Sequence, residues 1–406
     1  MTIHYNANNK QLMLLIVAIF FFTANLPIFK IGPLSLSFFL GVLLILIVVF
    51  YYPRLIKRNY VTNILLAFVV FSLISELAAP ISIDGKTFFT CFQIIYWYII
   101  AIIFSNINII VESKLIIRTI LIVLLIIGTL FILFPDEDGL LSENESSFIV
   151  IVLWPIVMSY WKNKYSRMLY VLLVVFLLYM IGSRTGILVV LLQLLLSYYV
   201  QKVTYINIKK TIVVLLFIII GISNLKVRTK ISETLFPEDP GMQMLIENPD
   251  IVFQMDKSWA QRRIQQEKCI QVFRQYPIIG LGPLNVSRYN INININNLSN
   301  IDDNILHFEL THSDSRSAHN SYYQLIAENG CVGFILLFFV LYKMTKGVYK
   351  YKNVSKANIW VLVSMAGMLA NLYMVSALWG TNTWILLGVF CGYANNNKIN
   401  SLKFTS

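Results

Sequence analysis

Histidine is the side chain best matched to moving a proton near neutral pH. His319 stands in RSAHNSYYQLIAENG, residues 316–330, where a polar stretch turns apolar. If this segment is helical, at about 100° per residue, Tyr323 and Ile326 share the face of His319. Glu328, nine positions on, points about 180° away. It should pair with polar groups inside the protein, because a lone carboxylate in apolar surroundings is costly. His319 is therefore a candidate general base, with Asn320 and Tyr323 as supporting residues. The competing reading is a hydrogen-bonding histidine at a membrane boundary.

Arginines supply a second chemistry. Arg184 sits in the tight connection GSRTG, residues 182–186, at the start of an apolar run. A guanidinium beside the free amides of a helix start is suited to holding a phosphate. A snorkelling arginine that anchors the turn at lipid headgroups is the alternative. Arg262 and Arg263 lie on one short segment, Arg288 follows a glycine-rich turn, and Arg316 precedes the next apolar run. Together they read either as a funnel for an anionic substrate or as a solvated basic face. His307, His312 and His319, with Glu309 and Asp314 between them, match no ligand spacing of a metal site, so no metal is expected. Cys91, Cys331 and Cys391 lie in apolar runs and Cys269 stands alone in a polar one, which supports neither a disulfide framework nor a thiolate metal site.

The elements that must position these groups are apolar helices. Of 406 residues, 57% are hydrophobic and only 13% charged, with mean hydropathy +0.70. That is too little charge to cover a soluble domain. Apolar runs recur throughout at approximately 12–29, 34–52, 61–79, 88–104, 117–134, 148–161, 168–181, 187–200, 211–224, 321–342, 359–378 and 383–395. The fold class expected is all-α, a polytopic integral membrane protein with about twelve transmembrane helices. Residues 12–29 read as a span rather than a cleaved leader, because a second apolar run follows at once.

The net charge of +12 does not indicate nucleic-acid binding, since its distribution is that of a topology signal. Alternate short connections and the two tails hold 19 Lys and Arg; the opposite connections hold only Lys30, Lys86 and Arg184. The positive-inside rule then makes both termini cytoplasmic. Residues 1–224 form nine spans, 225–320 a large extracytoplasmic loop, and 321–406 three spans and a tail. Within that loop, KSWAQRRIQQEKCIQVFRQ at 257–275 reads as an amphipathic helix, its apolar contacts coming from Trp259, Ile264, Ile270, Val272 and Phe273. Pro277 ends it, and IIGLGP forms a turn on Gly280, Gly282 and Pro283. The alternating NINININNLSN at 290–300 reads as an edge strand or a biased linker.

At these segments the sequence resembles the bacterial O-antigen ligase and polymerase superfamily of membrane glycosyltransferases. SAHNSYYQLIAENGCVGFILL, residues 317–337, resembles its His-Asn and aromatic stretch followed by Glu-x-Gly-x-x-Gly. Arg262 through FRQYPIIGLGPLN, ending at Asn285, resembles its Arg-led helix running into a Gly-rich turn, and GSRTG resembles its Ser-Arg-Gly turn. Tyr276, Gln266 and Thr185 depart from the usual residues at their positions. The resemblance implies a metal-independent, cofactor-free inverting transfer from an undecaprenyl-diphosphate-linked oligosaccharide in the bacterial inner membrane. It implies Arg184 and Arg262 as diphosphate-binding groups, with Arg288 and Arg316 beside them, and His319 as the base. Besides the lipid-linked substrate and membrane lipid, a chain-length regulator protein is a candidate partner; nucleic acid is not. A polymerase extending a lipid-linked repeat unit is preferred over a ligase acting on lipid A-core. A secondary transporter is the alternative from another class, disfavoured by the single large loop and the absence of an evident repeat between halves.

Overall fold

The computed structural model describes residues 7–25, 30–31, 34–81, 83–106, 114–133, 143–158, 161, 163–202, 233, 243, 246–247, 257–289, 320–350, 356–373 and 375–395. Within them the regular structure is α-helical apart from two short 3-10 segments and one small hairpin, in which Lys30–Ile31 pairs antiparallel with Leu34–Ser35. The helices are α1 (Ala7–Ala24), α2 (Leu36–Tyr51), α3 (Tyr60–Leu77), α4 (Gly85–Asn106), α5 (Lys114–Leu133) and α6 (Glu143–Met158). They continue with α7 (Lys164–Met180), α8 (Arg184–Lys202), α9 (Lys257–Gln275), α10 (Ser321–Lys350), α11 (Lys356–Asn371) and α12 (Thr381–Ala394). The expected run at 211–224 lies outside the described residues, as does 290–300.

Local chemistry sets several boundaries. Pro53 cannot continue α2, and the chain turns through a short 3-10 segment, Pro53–Ile56. Asn59 then starts α3 with a reciprocal cap: its Oδ1 accepts from the Thr62 amide at 2.8 Å, and its own amide donates to Thr62 Oγ1 at 2.7 Å. At the same end of the α3–α4 pair, Asn106 Nδ2 donates to the carbonyls of Leu55 and Lys57, tying α4 back to that turn.

Burial separates central helices from peripheral ones. Every residue of α6 from Ser146 to Met158 and of α12 from Thr383 to Ala394 is buried. α12 packs on α4, α6 on α11, and α10 on α3. By contrast α7 and α8 leave Leu172, Leu173, Phe176, Leu188, Leu192 and Leu195 more than half exposed. Apolar faces of that extent are excluded from water and call for lipid. Gln193 of α8 accepts from Trp154 Nε1 at 2.7 Å and donates to the carbonyls of Ile151 and Val363, joining α6, α8 and α11.

The chain is thus an all-α, multi-pass membrane-helix bundle. By length and composition, three of the described helices, α3, α4 and α10, can cross a membrane by themselves, against the count of about twelve expected from apolar runs. The 14-residue α12 rises only about 21 Å, short of a hydrocarbon core of about 30 Å. Buried from Thr383 to Ala394, it is held by its neighbours.

Candidate active site at a broken helix

The segment after α9 is where sequence, backbone and charge converge. α9 runs from Lys257 to Gln275, the span expected, and stops two residues before Pro277. Its packing differs from a simple amphipathic face. Ile264 and Val272 are buried as expected, but so are Gln265, Glu267 and Lys268, while Ile270 and Phe273 are only half-buried. α9 is packed against α10, so polar residues that read as a solvated face are inside.

The turn that follows docks into a gap in α10. Gly330 interrupts that helix with φ 61° and ψ −169°, a conformation open to glycine. A break inside a spanning helix frees backbone groups that lipid cannot satisfy. Here the turn satisfies them. The amides of Leu281 and Gly282 donate to the carbonyls of Ala327 and Glu328 at 3.0 and 2.7 Å, and the amide of Cys331 donates to the Pro277 carbonyl at 2.8 Å. Ser75 Oγ of α3 reaches the carbonyls of both Ile279 and Glu328. The two backbones approach so closely that a Cβ on Gly280, itself at φ 79°, would run into the Glu328 carbonyl, and one on Gly330 into Ile278.

The break also seats two carboxylates. Glu328, fully buried, accepts from Gln324 Nε2 at 2.9 Å and from Trp379 Nε1 at 2.8 Å, which fulfils the expectation that it pairs within the bundle. Glu76, at the end of α3 and 1% exposed, accepts from Asn285 Nδ2 at 2.8 Å. Asn285 Oδ1 in turn accepts from Arg288 at 3.0 Å, and the Arg288 guanidinium makes a 2.8 Å ion pair with Asp84. Asp84 caps α4 by accepting from the Thr87 amide; that bond, followed by the charge of Arg288, holds its carboxyl below the usual carboxylate range. Arg288 is therefore held in place by α3 and α4 through two acidic residues. Neither Glu76 nor Asp84 was singled out from the sequence. Glu76 carried a usable signal, as an acid at the end of an otherwise apolar run.

The remaining sequence candidates fall as follows. Arg262 is half-buried on α9, within the helix that packs on α10. Arg184 is the first residue of α8, and its side chain lies outside the described residues. Gly182 and Ser183 ahead of it lie against the start of α6, with Ser183 Oγ 2.7 Å from Ser147 Oγ. Arg316 and His319 lie outside the described residues, as do His307, His312, Glu309 and Asp314. Asn320 is buried and caps α10, its Oδ1 accepting from the amides of Tyr322 and Tyr323 at 3.0 and 3.3 Å. Tyr323 is half-buried and joins the small core beneath the turn, with Cys269, Val272, Leu281 and Ala327.

Comparison with curated proteins gives no match. Comparison with family models does: residues 169–338 match the family described as O-Antigen ligase. The matched stretch runs from α7 into α10 and so contains GSRTG, α9, the glycine turn and the helix break. Over that stretch, this multi-pass membrane protein is similar to the O-antigen ligase family.

Proposed function

We propose that the protein is a glycosyltransferase that moves a glycan from undecaprenyl diphosphate to an acceptor hydroxyl at the outer face of the bacterial inner membrane. Both termini are cytoplasmic in this reading, and about twelve helices cross the bilayer. The acceptor is a second lipid-linked repeat unit, making the enzyme a polymerase. The observation that carries the reading is the docking of the glycine turn into α10, after which Asn285 and Arg288 are held by Glu76 and Asp84 at the α3–α4 connection. A transporter that breaks a helix uses the freed backbone groups to hold substrate or ions. Here the turn consumes them, which favours a rigid scaffold over a moving gate.

The chemistry follows from the charges. The acceptor oxygen attacks the anomeric carbon and its proton passes to His319. The bond from that carbon to the diphosphate breaks, and the diphosphate leaves with the electron pair. Guanidiniums of Arg184, Arg262, Arg288 and Arg316 stabilise the leaving charge, as fixed donors do best in a site shielded from water.

The test is purified protein in lipid nanodiscs with undecaprenyl-diphosphate-linked repeat units, with or without lipid A-core. Longer lipid-linked glycans support the polymerase reading. Glycan appearing only on lipid A-core would make the protein a ligase, and neither product would overturn the proposal.

A further inference from the structure

A second site lies behind Trp379. A cavity of about 340 Å³ opens where the starts of α2, α6 and α12 meet, bounded by Ser35, Asn144, Phe148, Ser376, Trp379 and Asn382. Its size lies at the lower end of the range of small-ligand sites, roughly 300–1,000 Å³. Trp379 links it to the site already described, since its Nε1 donates to Glu328 beneath the turn. The entry of α10 forms its other border: Ser321 hydrogen-bonds the Val375 carbonyl through both its amide and its hydroxyl, and the Ala377 amide donates back to Ser321 Oγ.

We infer that this cavity is a subsite for an uncharged sugar ring of the transferred or the accepting glycan. The inference rests on the glycosyl-transfer reading and adds a recognition site to it. The lining mixes hydroxyls and amides with the apolar surfaces of Phe148, Ile149 and Trp379, and among the described residues it includes no Lys or Arg. Ser376 and Asn382, both half-buried, bring a hydroxyl and an amide to this lining. Donors are present too: α2 and α12 both begin here, and neither helix start is capped by a side chain. A group that both donates and accepts suits such a set, and sugar hydroxyls do both. An anion does not suit it, because Glu145 stands at the rim and the lining includes no Lys or Arg among the described residues.

The experiment uses the full chain in nanodiscs and measures saturation-transfer NMR to four neutral probes, the methyl glycosides of glucose, galactose, mannose and N-acetylglucosamine. Methyl glucuronide serves as the charged analogue. At least one neutral probe should bind, and Ser376→Phe, which fills the cavity, should weaken it about tenfold or more, the worth of one good polar contact. Asn144→Leu, at the half-buried rim, provides a milder variant should the first fail to fold. Binding of none of the four, binding of the glucuronide as strongly as the neutral probes, or binding unchanged in a folded variant would each overturn the subsite. With lipid-linked substrates, a raised KM for donor or for acceptor at unchanged kcat identifies the glycan concerned. Glycoside binding without any transfer would overturn the proposed function and leave the subsite standing. Normal transfer and binding in the variants would do the reverse.

Discussion

Arg288 meets its neighbours at two fixed points, Asp84 on one side and Asn285 on the other, and that places it differently from a surface arginine. Asp84 has its carboxyl below the ordinary range of about 3.9. A depressed folded-state value means the stabilising contribution is present above the unfolded value and lost as pH falls through the folded one. Between about pH 5 and 8, where histidine titrates, the Arg288–Asp84 pair should therefore be constant. Asp84→Asn should lower donor affinity by loosening Arg288 while leaving the shape of the kcat pH profile unchanged. A shifted profile would mean that Asp84 itself titrates in the reaction. The acid limb should instead belong to His319. His319→Ala is expected to reduce kcat by roughly 10²–10⁴-fold, the usual worth of a positioned base, and to leave donor binding nearly intact. His307→Ala and His312→Ala should do far less. An active His319→Ala enzyme, or one whose whole defect is lost donor binding, excludes the assignment. Stability offers a further check on the same entry. Asn320→Ala removes the cap of α10 and should destabilise the protein by about 1 kcal/mol, read as a lowered Tm.

Among the elements, the turn and the broken helix act as one unit, and here the sequence was only half legible. The bounds of α9 followed from Pro277, and the turn from its glycines, because both are local chemistry. The break in α10 did not follow: ENGCVGFILL reads as the beginning of an apolar run, and Gly330 reads as a residue for close helix contact. What decides it is non-local, a backbone from residues 277–282 arriving to take up the freed amides and carbonyls. Burial of Glu267 and Lys268 was hidden for the same reason, since packing of α9 on α10 is not written in either helix alone. The interlock predicts that Gly280→Ala and Gly330→Ala are both severe, because each combines positive φ with a backbone collision. Positive φ alone costs on the order of 1–3 kcal/mol. Gly85→Ala, with open space around it, is the control and should fold and function normally. Tm and product formation should fall together for the first two variants. Full activity in either would mean that the turn does not need its observed seat.

At the scale of the whole molecule, the question is which side the assembled site faces. The structure brings several connections to one end of the bundle. Residues of the α1–α2 and α11–α12 connections and of the start of α6 line one cavity, the α3–α4 connection holds Arg288, and the α7–α8 turn meets the start of α6. These are the connections poor in Lys and Arg, while the α2–α3 and α4–α5 ends meet at the other end through Asn59, Ser105 and Asn106. For the connections placed by these contacts, charge bias and packing group them the same way. On the proposed topology the positive-inside rule puts the site outside, the side on which the proposed lipid-linked donor would be used. The measurement is cysteine accessibility in a background with Cys91, Cys269, Cys331 and Cys391 replaced. A single cysteine at Asp250 should react with an impermeant thiol reagent in intact cells with a permeable outer envelope. One at Lys350 should react only after the inner membrane is opened. Labelling at 350 alone would invert the protein and place the arginines in the cytoplasm. Equal labelling at both would mean that the segment between them does not cross the membrane an odd number of times, and the topology would fall with it.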